Sequence, residues 1–269
     1  MTNLKIRHYI GRNYFGSGGV LGRAKFWRDA LRLRQIVLVG VGFLGAAGWT
    51  TGGPEVGGIS GNVTFTGTAP RMQAIDMSKE YNCAKEYAGV AVPTAETLVV
   101  GKGNELRNVV VFVFAGPAEA NRTAGATAAV MTQKGCRYAP HVVAVQAGKE
   151  VKITTSDNAP HNVYLAAKVN RPANLMQTAG GAPIQQKFDK PEFIPVKCNI
   201  HPWMRGIVAV VATPHYAVTG KDGEFKLPNL PPGKYTIKAW HETLGEQTQE
   251  VTIDGTETKT IEFVFKAKK

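Results

Sequence analysis

The stretch Val196–Val211 constrains this chain strongly, because it places three candidate metal ligands close together. Cys198, His201 and Met204 follow one another at intervals of three, between a short apolar run and a valine-rich segment that predicts a strand. A thiolate, an imidazole and a thioether are soft or borderline ligands, which together suit copper better than zinc, calcium or iron. A mononuclear blue-copper site needs a second imidazole, and the Pro-His-Asn-Val stretch offers one at His161.

The order of these residues resembles the type 1 copper proteins called cupredoxins, over roughly residues 126–212. A Cys-x-x-His-x-x-Met motif follows the earlier Pro-His-Asn-Val, and the ligand loop reads His-Pro-aromatic-Met-Arg-Gly, as in the amicyanin group. The resemblance implies a Greek-key β-sandwich that holds one copper ion for one-electron transfer. It implies four copper ligands: His161, Cys198, His201 and Met204.

The sequence also predicts roles for three neighbours of the candidate ligands, Asn162, Pro202 and Trp203. By the resemblance, Asn162 steadies the copper loop. Pro202 lacks an N–H and cannot donate a hydrogen bond toward the sulfur of Cys198. A thiolate with fewer donors gives more electron density to copper, which favours Cu(II) and lowers the reduction potential. Trp203 is interpreted either as a rim aromatic near the entry of electrons or as a residue that only packs the loop.

Each candidate ligand also has a purely structural interpretation, as a core histidine, a core methionine or a buried thiol, and their joint spacing is what favours copper. Zinc is the alternative metal, although structural zinc generally uses Cys and His without a thioether. His141, His215 and His241 lack metal-ligand spacing. We expect structural roles for them, with a second metal site as the alternative because imidazole is a common metal ligand.

The three cysteines bear on the cellular compartment. If Cys198 holds copper, Cys83 and Cys136 are left either as a disulfide or as two separate buried thiols. A disulfide fits an oxidising compartment, and an export signal favours it.

The first 50 residues predict export. Residues 1–35 carry a net charge of +7, and Ile36–Trp49 is a run of fourteen uncharged residues. A bilayer-spanning helix wants about 20 apolar residues, whereas a signal-peptide core is about 7–15 residues long and ends in small residues. Residues 1–50 are therefore a basic leader with a signal peptide or a membrane anchor, and membrane attachment would run through residues 36–50. Either case places the rest of the chain in the periplasm or on the outer face of the cytoplasmic membrane.

The remaining chain predicts an all-β protein, since it has 30 glycines, 15 prolines and short valine-rich runs. Residues 58–120 are expected to form a small β-module, with strands at 97–100 and 108–114, and residues 121–212 the copper domain. Within that domain, 168–187 is interpreted as a long functional or disordered loop. Residues 213–269 resemble the carboxypeptidase regulatory-like module, a small transthyretin-like β-sandwich. The resemblance rests on Asp-Gly-x-Phe, Leu-Pro-Pro-Gly-x-Tyr and Ala-Trp-His.

Three classes of function are compatible with these features. The first is an exported electron-transfer protein that serves a redox partner such as a c-type cytochrome or a membrane respiratory complex. The second is a copper enzyme, but a nitrite reductase or an oxidase needs a second copper with several histidines, and the chain has six in all. The third is a non-redox interaction or copper-binding β-sandwich. The chain outside residues 1–35 carries only +5 without a basic stripe interleaved with aromatics, which argues against nucleic-acid binding.

Overall fold

The computed structural model describes residues 56–122 and 129–267. The predictions for the leader, residues 1–50, lie outside these ranges. In the described part, no helix is both long and apolar enough to cross a membrane. The expectation of an all-β protein is confirmed, because sixteen strands accompany only a short α-helix and a 3₁₀ helix across the described ranges.

The first eight strands are β1 (Gly57–Thr66), β2 (Val110–Ala115), β3 (Ala129–Gln133), β4 (Tyr138–Ala139), β5 (Val142–Gln146), β6 (Glu150–Thr155), β7 (His161–Leu165) and β8 (Ala173–Gln177). The other eight are β9 (Ile184–Lys187), β10 (Glu192–Lys197), β11 (Arg205–Val211), β12 (Tyr216–Val218), β13 (Glu224–Leu230), β14 (Gly233–His241), β15 (Gly245–Ile253) and β16 (Thr258–Lys266). The helices are α1 (Tyr81–Lys85) and a 3₁₀ turn (Ala118–Arg122).

Strands β3–β11 form one sandwich, which we call the inserted sandwich. Its sheets have the orders β5–β11–β10–β7–β8 and β4–β3–β6–β9. In strand β6 buried and exposed side chains alternate, and Val151 and Ile153 face the core. Strand β11 is instead apolar along nearly its whole length because both of its faces are covered. Val208 and Val210 face the core of the sandwich, and Ile207 and its alternate neighbours face a second apolar cluster.

The remaining strands come from both sides of that insertion and build what we call the composite sandwich. Its sheets have the orders β13–β1–β16 and β12–β2–β14–β15. Strand β1 lies between an antiparallel and a parallel neighbour. It approaches β16 so closely at Gly61 that a Cβ there would lie 1.8 Å from the carbonyl oxygen of Ile261.

This strand pairing corrects the predicted division into separate modules at 58–120 and 213–269. Strands of the two ranges alternate within the same two sheets. The physical reason is strand pairing: without β1 and β2, strands β12, β13 and β16 would lose their neighbours in these sheets. Part of the range 58–120 also packs elsewhere, since Met77 and Cys83 lie in the core of the inserted sandwich.

The two sandwiches meet along the second apolar cluster, which joins residues of β2 to residues of β5 and β11. At its edge the rings of Phe193 and Trp240 stack with centroids 4.0 Å apart and planes 3° from parallel. The His141 Nε2 pairs with a carboxylate oxygen of Glu242 nearby. The contact therefore combines apolar burial with a specific polar link.

Two local expectations were wrong. The predicted strand at 97–100 makes a single bridge, from Val100 to Leu106, because the chain turns back at once through Gly101–Asn104. The predicted loop at 168–187 instead contains β8 and β9, so it extends both sheets of the inserted sandwich. A carboxylate fixes its beginning, as Glu192 accepts the backbone N–H groups of residues 168–170.

Candidate metal centre

The turn between β10 and β11 carries three of the four predicted ligands. The two strands are antiparallel, and their last paired residues are Lys197 and Arg205, so residues 198–204 form the connection. This connection is closed by its own backbone. The N–H of Cys198 donates to the carbonyl oxygen of Met204 at 3.3 Å, and the Met204 N–H donates to that of His201 at 2.9 Å.

The fourth predicted ligand, His161, comes from the neighbouring strand. β7 is antiparallel to β10, with Tyr164 opposite Lys197 at the end of β10. The first residue of β7 therefore extends past the end of β10 toward the 198–204 turn. Sheet pairing thus brings together residues that are 40 positions apart in the chain.

The three strongest donor atoms converge in a buried cluster. The Nδ1 atoms of His161 and His201 are 3.0 Å apart, and the Cys198 Sγ lies 3.8 Å from the His201 Nδ1. The three ligand atoms lie within 4.8 Å of one another. In zinc sites, metal–nitrogen bonds are about 2.0–2.1 Å and metal–sulfur bonds about 2.3 Å. The two measured separations therefore fit donors that share one ion of similar size.

Met204 is 1% exposed and belongs to the same apolar core as Cys198. The backbone bonds of the turn tie it to both Cys198 and His201. A buried thiol and two imidazoles converge, and the turn that carries two of them also carries the buried Met204. Cys, His and Met donors together suit copper, whereas structural zinc sites use Cys and His alone. The residues present therefore fit a copper ion.

The environment of Cys198 favours its thiolate form. Among the described residues Cys198 is the one free cysteine, and it is 4% exposed. Burial by itself raises the pKa, but the neighbouring His161 ring in its protonated form and hydrogen bonds from backbone N–H groups lower the pKa of Cys198 below its usual value. The N–H groups of Asn162 and His201 lie 3.3 and 3.4 Å from the sulfur. Pro202 is exposed in the same turn, and its ring nitrogen has no hydrogen to donate.

Asn162, in β7, connects the turn to the neighbouring strand β8. Its side-chain oxygen accepts the N–H of Asn199 at 3.2 Å, within the ligand turn. Its side-chain nitrogen donates to Asn174 Oδ1 at 2.6 Å and faces the carbonyl oxygen of Leu175 at 3.4 Å, both in β8. The range 168–187 thus supplies a residue that holds Asn162 beside the cluster.

The two imidazoles have different surroundings. Burial lowers the pKa of His161, but its hydrogen bond to Asp157, the charge of Asp157 and the interaction with Cys198 together outweigh this and raise the pKa above its usual value. Burial raises the pKa of Asp157, and the bonds from His161 and two backbone N–H groups lower it overall. Burial and then the proximity of His161 lower the pKa of His201. His161 is thus the more strongly held of the two rings.

His201 is covered by helix α1 and is only 2% exposed. Its Nε2 lies 3.8 Å from the Sγ of Cys83 and 3.8 Å from the Oε2 of Glu80. A disulfide joins Cys83 to Cys136, which is the first of the two alternatives that the sequence left open. The disulfide thus ties the covering helix to the sandwich beneath it.

Two aromatic residues support the cluster. The Nε1–H of Trp203 donates to the carbonyl oxygen of Cys136 at 3.1 Å, and its ring lies 5.1 Å from that of His201. These contacts give Trp203 a packing role, and electron entry there stays a prediction. The buried Tyr138 hydroxyl lies 2.6 Å from the carbonyl oxygen of Asn162 and 3.0 Å from that of Lys197, so it connects β7 to β10.

The other histidines outside the leader do not gather into a second site in the described ranges. His215 donates from Nε2 to the carbonyl oxygen of Ala120 at 2.7 Å, and His141 pairs with Glu242. His241 accepts two backbone N–H groups at Nδ1. Cys136, Asp157 and His161 form a second cluster of possible metal ligands. The Cys136 sulfur is in the disulfide, however, so this cluster has no thiolate to offer a metal.

Sequence reasoning missed the residues that surround the ligands. Asp157, Tyr138 and Asn174 contact the ligand residues or Asn162 directly, and Glu80 faces His201. Asp157 had a local signal, since it precedes His161 by four residues, but that spacing alone does not mark a carboxylate as the partner of a histidine. Tyr138 and Glu80 carry no such signal, because only tertiary packing brings them to the centre.

Comparison with family models identifies one part of the chain. Residues 206–266 match the model of the carboxypeptidase regulatory-like domain, so that resemblance is confirmed. The match covers β11–β16 and therefore includes one strand of the inserted sandwich. A search of curated proteins found no match.

Solved structures similar to this chain include copper proteins. One is a Cu-containing nitrite reductase from Thermus scotoductus SA-01, at 20% identity and a TM-score of 0.30, covering 33% of this chain and 23% of that chain. Another is the Cu(I) form of an amicyanin variant, at 24% identity and a TM-score of 0.29, covering 39% and 99%. A purple cupredoxin from Nitrosopumilus maritimus matches at 21% identity and a TM-score of 0.27, covering 31% and 99%. The chain thus spans about a quarter of the nitrite reductase.

Proposed function

We propose that this protein is an exported electron-transfer protein that holds one type 1 copper ion in the cluster of His161, Cys198, His201 and Met204. The observation that supports this most is the convergence of the one free thiol with the Nδ1 atoms of two buried histidines. Bound copper would supply one-electron exchange between Cu(II) and Cu(I).

The protein's own residues have distinct roles in this proposal. The Cys198 thiolate is the strongest donor, and the N–H groups of Asn162 and His201 set the electron density on its sulfur. Burial of the donors would exclude water from a bound ion. The turn bonds and the Asn162 network hold the donors in place, so that little rearrangement accompanies the gain or loss of an electron.

Location and partner follow as further parts of the proposal. A disulfide persists in oxidising compartments, which supports the periplasm or the outer face of the cytoplasmic membrane. We propose a protein redox partner, such as a c-type cytochrome or a membrane respiratory complex. We propose that the protein is not an enzyme. A copper enzyme would need further histidines for a second copper, and His141, His215 and His241 have protein hydrogen-bond partners of their own.

The test is copper loading of the purified full chain after removal of metal. We expect one equivalent of Cu(II) to give an intense thiolate-to-copper charge-transfer band and a reversible one-electron wave. Cys198→Ser should abolish the band, because an alcohol does not replace the thiolate donor. His215→Asn is the matched control, since it removes a buried histidine outside the cluster and should leave the band intact.

Two results would overturn the proposal. A protein that binds no copper, or that binds it without the band, lacks the type 1 site. A protein that binds copper tightly but shows no reversible wave is a copper-binding β-sandwich without electron transfer, which is the alternative function.

A further inference from the structure

A buried carboxylate contacts the candidate centre from behind His161. Asp157 is 4% exposed and lies between β6 and β7. Its Oδ2 accepts the Nε2–H of His161 at 2.8 Å and the backbone N–H of Cys136 at 2.9 Å. Its Oδ1 accepts the backbone N–H of Gly135 at 2.6 Å. The carboxylate is therefore fully bonded without any solvent contact being required.

This contact fixes the tautomer of His161. An ionised carboxylate only accepts hydrogen bonds, so the proton of the neutral ring must sit on Nε2. The lone pair then lies on Nδ1, which is the atom that faces His201. A carboxylate behind a ligating imidazole orients the ring and makes it a stronger donor.

The position of Asp157 is set by the opposite sheet. Gly135 and Cys136 form the turn between β3 and β4, and both have left-handed backbones, with φ of 61° and 50°. This unusual conformation points consecutive N–H groups at the carboxylate. The disulfide to Cys83 fixes the same turn covalently. Asp157 thus links the sheet of β3 to the strand that carries His161.

His201 has no equivalent contact in the described chain. The nearest carboxylate oxygen to its Nε2 belongs to Glu80, at 3.8 Å, which is beyond hydrogen-bond distance. The Glu80 side chain is also 45% exposed. Water therefore screens its charge, whereas the charge of Asp157 acts through a low-dielectric interior.

We propose that Asp157 is a positioning residue that sets the reduction potential of the centre through His161. This inference rests on the proposed copper site. The negative charge of Asp157 and its hydrogen bond to His161 both favour Cu(II) over Cu(I), so they lower the reduction potential. The effect acts through the ring, because Asp157 itself contacts Nε2 and not the atom that faces the cluster.

The test compares Asp157→Asn with Glu80→Gln in the copper-loaded full chain. Both substitutions remove one negative charge near an imidazole, but only the first removes a buried and directly bonded one. We expect Asp157→Asn to raise the potential measured by voltammetry, and Glu80→Gln to raise it clearly less. Equal shifts in the two variants, or an unchanged or lower potential in Asp157→Asn, would overturn the inference.

A second measurement needs neither copper nor a stable variant. Ring ¹⁵N shifts of metal-free wild-type protein at alkaline pH, where imidazoles are neutral, report the tautomer of His161. We expect the proton on Nε2, and a proton on Nδ1 would overturn the inference even if Asp157→Asn failed to fold. A wild-type protein without redox-active copper would overturn the proposed function. This ring measurement would still report the Asp157–His161 contact.

Discussion

The inserted and composite sandwiches use buried histidines in opposite ways. In the composite sandwich, His215 donates to a backbone carbonyl and His241 accepts backbone N–H groups. In the inserted sandwich, His161 and His201 turn their Nδ1 atoms toward each other and toward a thiol. A histidine bonded to backbone contributes to the fold alone, whereas two rings that share a donor cluster provide a place for an ion.

The hydrophobic cores of the two sandwiches also differ in the polar groups that they bury. The composite core is apolar and rich in aromatic residues, including Phe65, Phe225 and Phe263. The inserted sandwich buries Asp157, Asn162 and the ligands within an apolar cluster of similar size. Burying polar groups costs stability unless each is bonded. The disulfide and the hydrogen bonds of Asp157 and Asn162 lie in the inserted sandwich, which is where this cost arises.

The largest expected effect comes from removing the disulfide. Replacing Cys83 and Cys136 by Ser opens a loop with a sequence separation of 53, which should lower the free energy of unfolding by about 4 kcal/mol. Urea unfolding of the metal-free protein measures this change. The copper band should survive under native conditions, because neither cysteine is a predicted ligand, but a chelator should extract copper faster once α1 no longer covers His201.

The matched control for that variant lies in the composite sandwich. Phe263→Leu removes part of a fully buried ring and should destabilise the protein by roughly 1–3 kcal/mol. Copper extraction should stay at the wild-type rate. Faster extraction in Phe263→Leu would mean that general loosening, and not uncovering of His201, controls access, and the contrast between the sandwiches would then fail.

A smaller effect is a pH dependence that belongs to the composite sandwich. Burial lowers the pKa of His241 from 6.5 to about 4, with Glu242 opposing the shift and His141 adding to it. Because the folded value is the lower one, the unfolded chain binds more protons between these pH values. The free energy of unfolding is therefore highest above about pH 6.5. It falls by about 3 kcal/mol as the pH drops to about 4, because His241 must then be buried without its proton or not at all.

Urea unfolding across this pH range checks the prediction in the metal-free protein. His241→Asn offers an acceptor in place of Nδ1 and does not titrate, so its stability should fall less steeply toward acid pH than that of the wild type. Identical slopes in both proteins would show that other groups account for the acid sensitivity.

The smallest effect concerns Pro202. Pro202→Ala introduces an N–H into the turn that carries Cys198. We expect this N–H to donate toward the Cys198 sulfur, to withdraw electron density and to raise the reduction potential. One neutral hydrogen bond is worth about 1 kcal/mol, which for one electron is roughly 40 mV. Voltammetry of the copper-loaded variant measures the shift. A potential that falls would contradict the role assigned to this residue in the inserted sandwich.

The sequence predicted the ligand turn because its information is local. Cys198, His201 and Met204 lie within one connection, and their spacing survives any detail of packing. The all-β class followed in the same way from short valine-rich runs and turn residues. Strands β13 and β14 were signalled by the Asp-Gly and Pro-Pro-Gly turns on either side.

Long-range pairing was beyond the reach of such patterns. Nothing in the alternation of β1 says that it lies between β13 and β16, over 160 residues away, so the two ends of the chain were predicted as separate modules. The 168–187 range failed for a related reason. On its edge strand β8 the apolar Met176 is exposed and the polar Gln177 is buried, so hydrophobic alternation does not mark the strand. Glu192 fixes the beginning of the segment from outside it.

The place where the chain leaves and re-enters the composite sandwich has an evolutionary consequence. Strand β2 ends at Ala115 and β12 begins at Tyr216, yet the two strands are hydrogen-bonded neighbours, with Tyr216 opposite Phe112. The start and the finish of the intervening hundred or so residues therefore lie side by side. Two adjacent strand ends are all that the host sheet needs in order to accept an insertion. This inserted sandwich also buries Met77 and is bonded to Cys83 of the preceding chain, so it would have to be exchanged together with that covering segment.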